Sequence, residues 1–282
     1  MTYRQSLKRG LSLAFRHKLD RETLGEIKAA GISAVELSFS FDDYMNQIDF
    51  PNNWQRVATL AQAFGIELWS IHLPFSSDLD ISHPEDKQRA VTLHTHQVLI
   101  EAAGKAGIQV AVLHPSSEPI QDQERLKRLG RSREAIIQLR SVCDLNGMRL
   151  AVENLPRTCL CNRAAEMIAL LQGTGAGIVF DTNHALFEDN IAFLSALADS
   201  DLTIESLHIS DYDRVDERHR LPGDGVNDWD GIFFQLQRAG YRGPMLYEVS
   251  GQPKERDEIT FAQLADNMNR LASGDMTGPN PT

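Results

Sequence analysis

The chain has 282 residues, a net charge of −11 from 28 Lys and Arg against 39 Asp and Glu, and 42% apolar residues. This composition is typical of a globular protein, and the length suits one large barrel or two small domains. The acidic balance counts against nucleic-acid binding, and no apolar run approaches the roughly 20 residues of a membrane span.

Eight short apolar or β-branched runs alternate along the chain with segments of helical period. The runs predict strands and are LSLAF (11–15), AVELSF (34–39), IELWSIHL (66–73), QVAVLHP (109–115), RLAVENL (149–155), GIVFDTN (177–183), IESLHIS (204–210) and PMLYEVS (244–250). Runs that are apolar at nearly every position are typical of parallel strands buried on both faces.

Apolar residues between the strands recur at the spacing of amphipathic helices. One such series is Trp54, Val57, Ala58, Ala61 and Phe64, and a second is Phe261, Leu264, Ala265, Met268 and Leu271. Glycine follows five helical segments, at positions 31, 65, 107, 147 and 240, where a left-handed residue ends a helix. Asp228 is the predicted N-cap of the helix that follows it.

Strand–helix alternation repeated eight times within about 250 residues predicts a single-domain (β/α)8 TIM barrel. A doubly wound open sheet is the alternative, but its G-x-G-x-x-G turn does not follow the first predicted strand. We expect the barrel over residues 1–273 and a flexible C-terminal tail over residues 274–282. The helical faces show no obvious seam for a homo-oligomer, which is a common state of such barrels.

Seven of the predicted strands carry an ionisable residue near the C-terminal end, namely Glu36, His72, His114, Glu153, Asp181, His208 and Glu248. These ends meet on one face of a TIM barrel, where active sites are built. The last four residues form a mixed oxygen and nitrogen set, which suits divalent Mn, Mg, Co, Zn or Fe. The pattern therefore predicts a metal site at the barrel mouth.

Four segments resemble the xylose isomerase-like TIM barrels. They are Val-Glu153-Asn-Leu-Pro, Phe-Asp181-Thr-Asn-His184, Leu-His208-Ile-Ser-Asp and Tyr-Glu248-Val. The superfamily contains sugar and sugar-phosphate isomerases and epimerases, inositol-pathway dehydratases and the endonuclease IV type of DNA-repair enzyme. The resemblance covers nearly the whole chain and implies one divalent metal ion held by Glu153, Asp181, His208 and Glu248.

The resemblance also implies a small polyhydroxy carbonyl substrate and proton transfer next to its carbonyl group. A metal on the carbonyl oxygen stabilises the enediolate that forms. Glu153 and Glu248 are the predicted base and acid. Two carboxylates on opposite faces of a sugar carbon allow epimerisation, whereas one base between adjacent carbons gives aldose–ketose isomerisation, and the sequence does not choose between them.

Further residues are predicted from the same resemblance to contact the substrate, namely His72, His114, His184, Arg214 and His219. His184 matches a histidine that contacts substrate in sugar epimerases, and Arg214 lies where ketose epimerases place an arginine. One departure concerns the loop after Glu153, where sugar 3-epimerases usually carry another acid and this chain has Arg157-Thr158-Cys159. The departure counts against a free ketohexose as substrate.

The alternative within the superfamily is a multi-zinc phosphodiesterase of the endonuclease IV type, which binds three metals. The chain matches its ligand set at His72, His114, Glu153, Asp181, His184, His208, Glu217, His219 and Glu248. The net charge of −11 and the lack of basic loops count against a DNA substrate. An inosose dehydratase-type lyase and a non-catalytic carbohydrate-binding barrel are further alternatives, and intact Glu153 and Glu248 argue against the second of these.

Three cysteines, Cys143, Cys159 and Cys161, form no disulfide framework and no zinc-finger pattern, so we interpret them as structural thiols. Together with the polar N-terminus, they favour a cytoplasmic protein. His94 and His96 form an H-x-H within a helix, where their side chains point about 200° apart. We expect both histidines at the surface.

Overall fold

The eight predicted strands form one parallel sheet. The computed structural model of the chain describes residues 2–14, 19–47, 53–250, 259–276 and 280. The strands are β1 Arg9–Ser12, β2 Ala34–Ser38, β3 Glu67–His72, β4 Val110–Leu113, β5 Arg149–Glu153, β6 Gly177–Asp181, β7 Ile204–His208 and β8 Met245–Tyr247. Phe15, the last residue of the first predicted strand, lies outside the described residues.

The sheet closes into a barrel. Its hydrogen-bonded order runs from β8 through β1 and then in chain order to β7, with every pair parallel. The N–H of Ile209 donates to the carbonyl of Leu246 at 2.8 Å, and Ile209 also forms a parallel bridge with Tyr247. These contacts join the ends of β7 and β8, so the predicted (β/α)8 TIM barrel is confirmed.

Helices connect the strands and cover the outside of the barrel. Within the described residues they are α1 Tyr3–Ser6, α2 Arg21–Ala29, α3 Phe41–Gln47, α4 Trp54–Ala63, α5 Asp86–Lys105, α6 Asp122–Leu145, α7 Ala164–Leu171, α8 Asn190–Ala198, α9 Trp229–Arg238 and α10 Phe261–Ser273. The five predicted helix-ending glycines all have φ between 67° and 78°. Asp228 caps α9 as predicted, because its carboxylate accepts the N–H of Gly231 at 3.0 Å.

The barrel interior changes from apolar to polar along its axis. A small cluster of buried side chains fills the interior, namely Ala34, Trp69, Val110, Val112, Ala151, Val179 and Leu246. The indole N–H of Trp69 on β3 donates to Ser206 on β7 at 3.1 Å, which ties opposite walls together. The C-terminal strand ends above this layer carry the predicted acids and histidines, so the apolar layer lies beneath the candidate site.

Two expectations about single side chains have different outcomes. Cys143, Cys159 and Cys161 are buried and not disulfide-bonded, and burial raises the pKa of Cys143 and of Cys159 to about 12, as suits structural thiols. The expectation of a surface position for His96 is wrong. Its side chain is only 2% exposed, because α5 turns it inward to contact the carbonyl of Pro74 at 3.0 Å.

Part of the predicted tail contacts the barrel. Asn280, within 274–282, is buried, and its side chain accepts hydrogen bonds from Asn267 and Arg270 on α10. No described helix combines the length and the continuous apolar surface that a membrane span requires.

Candidate metal centre and cavity

A cavity of about 690 Å³ opens at the C-terminal ends of the strands. Each of the eight strand ends or the loop that follows it contributes to the wall, from Ala14 after β1 to Glu248 after β8. His72 and His114 line it from β3 and the end of β4, and Glu153 lines it from β5. The cavity therefore lies on the face of the barrel where the strand-end residues were predicted to meet.

The four predicted metal ligands lie together, with Glu153 and Glu248 in the cavity lining and Asp181 and His208 fully buried behind them. One ligand atom from each of Glu153, Asp181, His208 and Glu248 lies within 4.8 Å of the other three. Nδ1 of His208 is 2.9 Å from Glu153, 3.2 Å from Glu248 and 3.8 Å from Asp181. Two atoms bound to one ion at about 2.1 Å are at most about 4.2 Å apart, so these three distances suit shared coordination.

An unpartnered carboxylate oxygen is a second observation in favour of a cation at this site. Oδ2 of Asp181 is fully buried and has no hydrogen-bond partner among the described residues. Three buried carboxylates meet one imidazole here, and a divalent cation would allow all three to be ionised together. The residues present therefore fit a divalent metal of the oxygen-preferring or borderline class.

Asn154 holds the two strand ends that carry Glu153 and Asp181. Its side-chain oxygen accepts the N–H of Asp181 at 2.7 Å, and its amide group donates to the Asp181 carbonyl at 3.0 Å. This double hydrogen bond clamps β5 to β6 directly after the paired region. The two carboxylates are therefore held by the rigid sheet and not by a loop.

Glu153 is surrounded by imidazoles. Nε2 of His72 and Nε2 of His114 both lie 3.2 Å from its Oε2, and His208 lies against its Oε1. Burial by itself raises the pKa of this carboxyl, but His208, His114 and His72 hold the pKa well below its ordinary value. Glu153 is therefore the carboxylate most strongly kept in its charged form.

The pKa values of Glu248 and Asp181 are raised, in contrast to the lowered pKa of Glu153. Burial raises the pKa of Glu248, and the charges of Glu153 and Asp181 add to the rise against the opposing effect of His208 and His219. Burial, followed by the charge of Glu153, raises the pKa of Asp181 well above its ordinary value. The site thus holds one strongly ionised carboxylate and two carboxylates that retain protons more readily.

Four of the five residues predicted to contact the substrate line the cavity. His72, His114, His184 and His219 all line the cavity, whereas Arg214 is exposed and is not among the lining residues. Nδ1 of His184 donates to the Asn154 carbonyl at 2.9 Å. Nε2 of His184 therefore faces Glu217, 3.9 Å away.

Arg157 lines the cavity, whereas the predicted Arg214 does not. Its guanidinium lies 2.7 Å from Glu118 and 2.8 Å from both Asp216 and Glu217. Its φ of +48° is left-handed, which is uncommon for a residue with a side chain. In the sequence, Arg157 was noticed only as a departure from the sugar 3-epimerase pattern. Its three carboxylate partners lie on two other loops, so the local sequence could not predict these ion pairs.

Phe75 is a second lining residue that sequence reasoning missed. Its ring is stacked on the imidazole of His114, with ring centroids 3.9 Å apart, and its side chain is 55% exposed. An exposed aromatic ring in the cavity wall is suited to contact the C–H groups of a bound molecule. The sequence offered no period or motif that distinguishes it from a core aromatic.

A second group of ionisable side chains lies in the same cavity. Ligand atoms of His184, Glu217 and His219 lie within 4.8 Å of one another. Glu217 is also paired with Arg157, so part of its negative charge is already compensated. This group is therefore a weaker candidate for a cation than the four buried predicted ligands.

Comparison with known proteins agrees with this architecture. A family model described as xylose isomerase-like TIM barrel matches residues 24–272. The uncharacterized protein MJ1311 of Methanocaldococcus jannaschii is 23% identical over 205 residues, which are 70% of this chain and 69% of that protein.

Among solved structures, a D-tagatose 3-epimerase-like protein superposes with a TM-score of 0.79 at 20% identity, covering 96% of this chain and 98% of that one. A D-psicose 3-epimerase superposes with a TM-score of 0.77 at 17% identity, covering 95% and 98%. At these identities the structural likeness shows the shared fold.

Proposed function

The chain belongs to the xylose isomerase-like TIM barrel family, and we propose that it is a divalent-metal-dependent epimerase or isomerase of a small polyhydroxy carbonyl compound. The observation that carries the proposal is the group of Glu153, Asp181, His208 and Glu248. The presence of sugar epimerases among the structures that share the fold supports the substrate class.

We assign the metal to these four residues because they supply the donor atoms and the charge that a divalent ion needs. When bound, such an ion stabilises negative charge on a substrate oxygen, and that charge develops when a neighbouring C–H group loses its proton. The apolar layer beneath the site, which includes Trp69 and Val179, limits water and strengthens these electrostatic interactions.

Glu153 and Glu248 are the proposed proton carriers. Both line the cavity, and both reach the same nitrogen of His208, so a substrate carbon above that point is within reach of two carboxylates. If one carboxylate removes the proton and the other returns a proton to the opposite face, the configuration of that carbon is inverted. Removal and return by a single carboxylate between adjacent carbons moves the carbonyl instead. We assign the hydroxyl and carbonyl groups of the substrate to His114 and His184, because both ring nitrogens of His72 already contact Glu153 and the carbonyl of Leu73.

Deuterium exchange tests this proposal directly. The protein loaded with Mn²⁺, Co²⁺, Zn²⁺ or Mg²⁺ is incubated in heavy water with ketoses, inosose and ketose phosphates. We expect deuterium at a carbon next to the carbonyl of at least one compound, together with the epimer or isomer. Loss of water from the substrate would indicate a dehydratase. A metal-loaded protein that exchanges none of these protons contradicts the proposal.

The specific observation in favour of a second function is the group of His184, Glu217 and His219. A phosphodiesterase of the endonuclease IV type needs several metals, and this group lies beside the first. The pairing of Glu217 with Arg157 and the net charge of −11 both count against it. Nicking of DNA that contains an abasic site, with three tightly bound ions per chain, would favour that function over ours.

A further inference from the structure

Glu36 is a strand-end acid that the proposed metal set leaves without a role. It lies on β2, is fully buried and is not among the residues that line the cavity. The register of β2 and β3 shifts between Val35 and Glu36, which places Glu36 opposite Ser70. A carboxylate at such a position has a large desolvation cost unless both of its oxygens find donors.

One oxygen of Glu36 has a clear donor, and the other faces His208. The hydroxyl of Ser70 donates to Oε2 at 2.8 Å. Oε1 lies 3.0 Å from Nε2 of His208, which belongs to β7, so the contact crosses the barrel interior. With the Ser70 hydroxyl on one oxygen, Oε1 is the oxygen of Glu36 that is left to accept from His208.

The contact with His208 has hydrogen-bond length but not the ideal angle. Both Oε1 of Glu36 and Nε2 of His208 are buried, and neither makes a well-aligned hydrogen bond to any described residue. The separation of 3.0 Å is within the ordinary range for N–H···O. Each atom is thus the hydrogen-bond partner available to the other.

The second nitrogen of His208 faces the candidate metal ligands. Nδ1 lies 2.9 Å from Glu153 and 3.2 Å from Glu248. A neutral imidazole carries one N–H and one lone pair. Nδ1 here forms a hydrogen bond with Glu153, so metal binding at Nδ1 requires that bond to be given up and the proton to lie on Nε2, where Glu36 accepts it.

We propose that Glu36 is a positioning residue, which fixes the ring orientation and the Nε2–H tautomer of His208 so that Nδ1 can bind the metal. The inference rests on the proposed function, because it gives Glu36 a part in holding that metal. Carboxylates that accept the second N–H of a metal-binding histidine typically contribute about 10- to 100-fold to metal affinity. Ser70 has a lesser part, since it orients the Glu36 carboxylate from the other side.

The first experiment uses the wild-type protein with ¹⁵N-labelled histidine, loaded with Zn²⁺ alone. We expect the His208 signals to show a metal-bound Nδ1 and a protonated Nε2. A metal-bound Nε2 would overturn the inference without any variant. Absence of zinc at His208 in the wild type would overturn the proposed metal site itself, so the two failures are distinguishable.

The second experiment measures Zn²⁺ affinity of variants by competition with a chromophoric chelator. Glu36→Met removes the acceptor at similar volume and should lower the affinity by about 10- to 100-fold. Glu36→Gln should lose less, because its amide oxygen can still accept from Nε2 of His208. Ser70→Ala removes only the second contact of the Glu36 carboxylate and should lower the affinity less than Glu36→Met does. A Glu36→Met protein that folds and binds zinc as tightly as the wild type would overturn the inference.

Discussion

The guanidinium of Arg157 lies 2.8 Å from the carboxylate of Glu217, and this ion pair joins the loop after β5 to the loop after β7. Glu118 and Asp216 complete the contacts of Arg157 from the loop after β4 and again from the loop after β7. The pair also lies next to His184 and His219, the other members of the second group. Arg157 therefore controls how much negative charge that group can offer to a cation.

The pairing predicts the metal stoichiometry. The wild-type protein should bind one tight zinc ion per chain, and Arg157→Met should increase the affinity for a second ion, because Glu217 loses its cationic partner. Calorimetric titration with Zn²⁺ and metal analysis measure both. Arg218→Met is the control, since Arg218 pairs with Asp213 and is not among the cavity-lining residues. Two equally tight ions in the wild type would contradict this prediction.

Neutralising either proposed proton carrier should abolish most of the turnover. We expect Glu153→Gln and Glu248→Gln each to lower kcat by about 10²- to 10⁴-fold at saturating metal, the usual contribution of a positioned acid or base. Glu118→Gln is the control, because this cavity carboxylate lies outside the four-residue group. Full deuterium exchange in either of the first two variants would refute the assigned roles.

Metal affinity should rise with pH. The carboxylates of Glu248, Glu36 and Glu153 raise the pKa of His208 well above its ordinary value, against the opposing effect of burial. Below this raised pKa the metal-free protein holds a proton on His208, which metal binding must displace. Affinity should therefore fall about tenfold per pH unit for each proton released as the pH is lowered through neutrality. Competition titrations at several pH values check the slope, and a flat profile would argue against His208 as a ligand.

Asp181→Asn should separate metal binding from stability. The metal-free variant should be more stable than the metal-free wild type above neutral pH, because a buried carboxylate whose pKa is raised is destabilising when ionised. Metal at a hundredfold excess over Kd stabilises the wild type by about 2.7 kcal/mol, or roughly 5–10 °C in Tm for a domain of this size. The variant should lose most of this shift. Thermal unfolding with and without a chelator measures both effects, and an unchanged metal-dependent shift would count against Asp181 as a ligand.

Phe75 should contribute to substrate binding and not to the chemical step. Phe75→Ala should raise KM by roughly two- to tenfold with little change in kcat, the range expected for loss of one aromatic contact of about 0.5–1.5 kcal/mol. Phe234→Ala is the control, because Phe234 is similarly exposed, at 61%, but lies on α9 and does not line the cavity. Equal effects of the two substitutions would remove Phe75 from the binding surface.

The sequence by itself determined the barrel and the four-residue group of its site. Parallel strands buried on both faces must be apolar at nearly every position, so their runs are visible without any long-range information. The ends of such strands converge in any closed barrel. Glu153, Asp181, His208 and Glu248 could therefore be placed together from their positions after four successive runs, and the structure brings them together.

The tertiary structure decided the residues whose positions depend on loops or on contacts across the barrel. Arg157 lines the cavity and Arg214 does not, and ion pairs with carboxylates on separate loops hold Arg157 in place. His96 is buried since α5 packs it under Pro74. Glu36 meets His208 only because β2 and β7 face each other across the interior. Local periodicity specifies which face of an element is buried, whereas partners distant in sequence are determined by packing of the whole barrel.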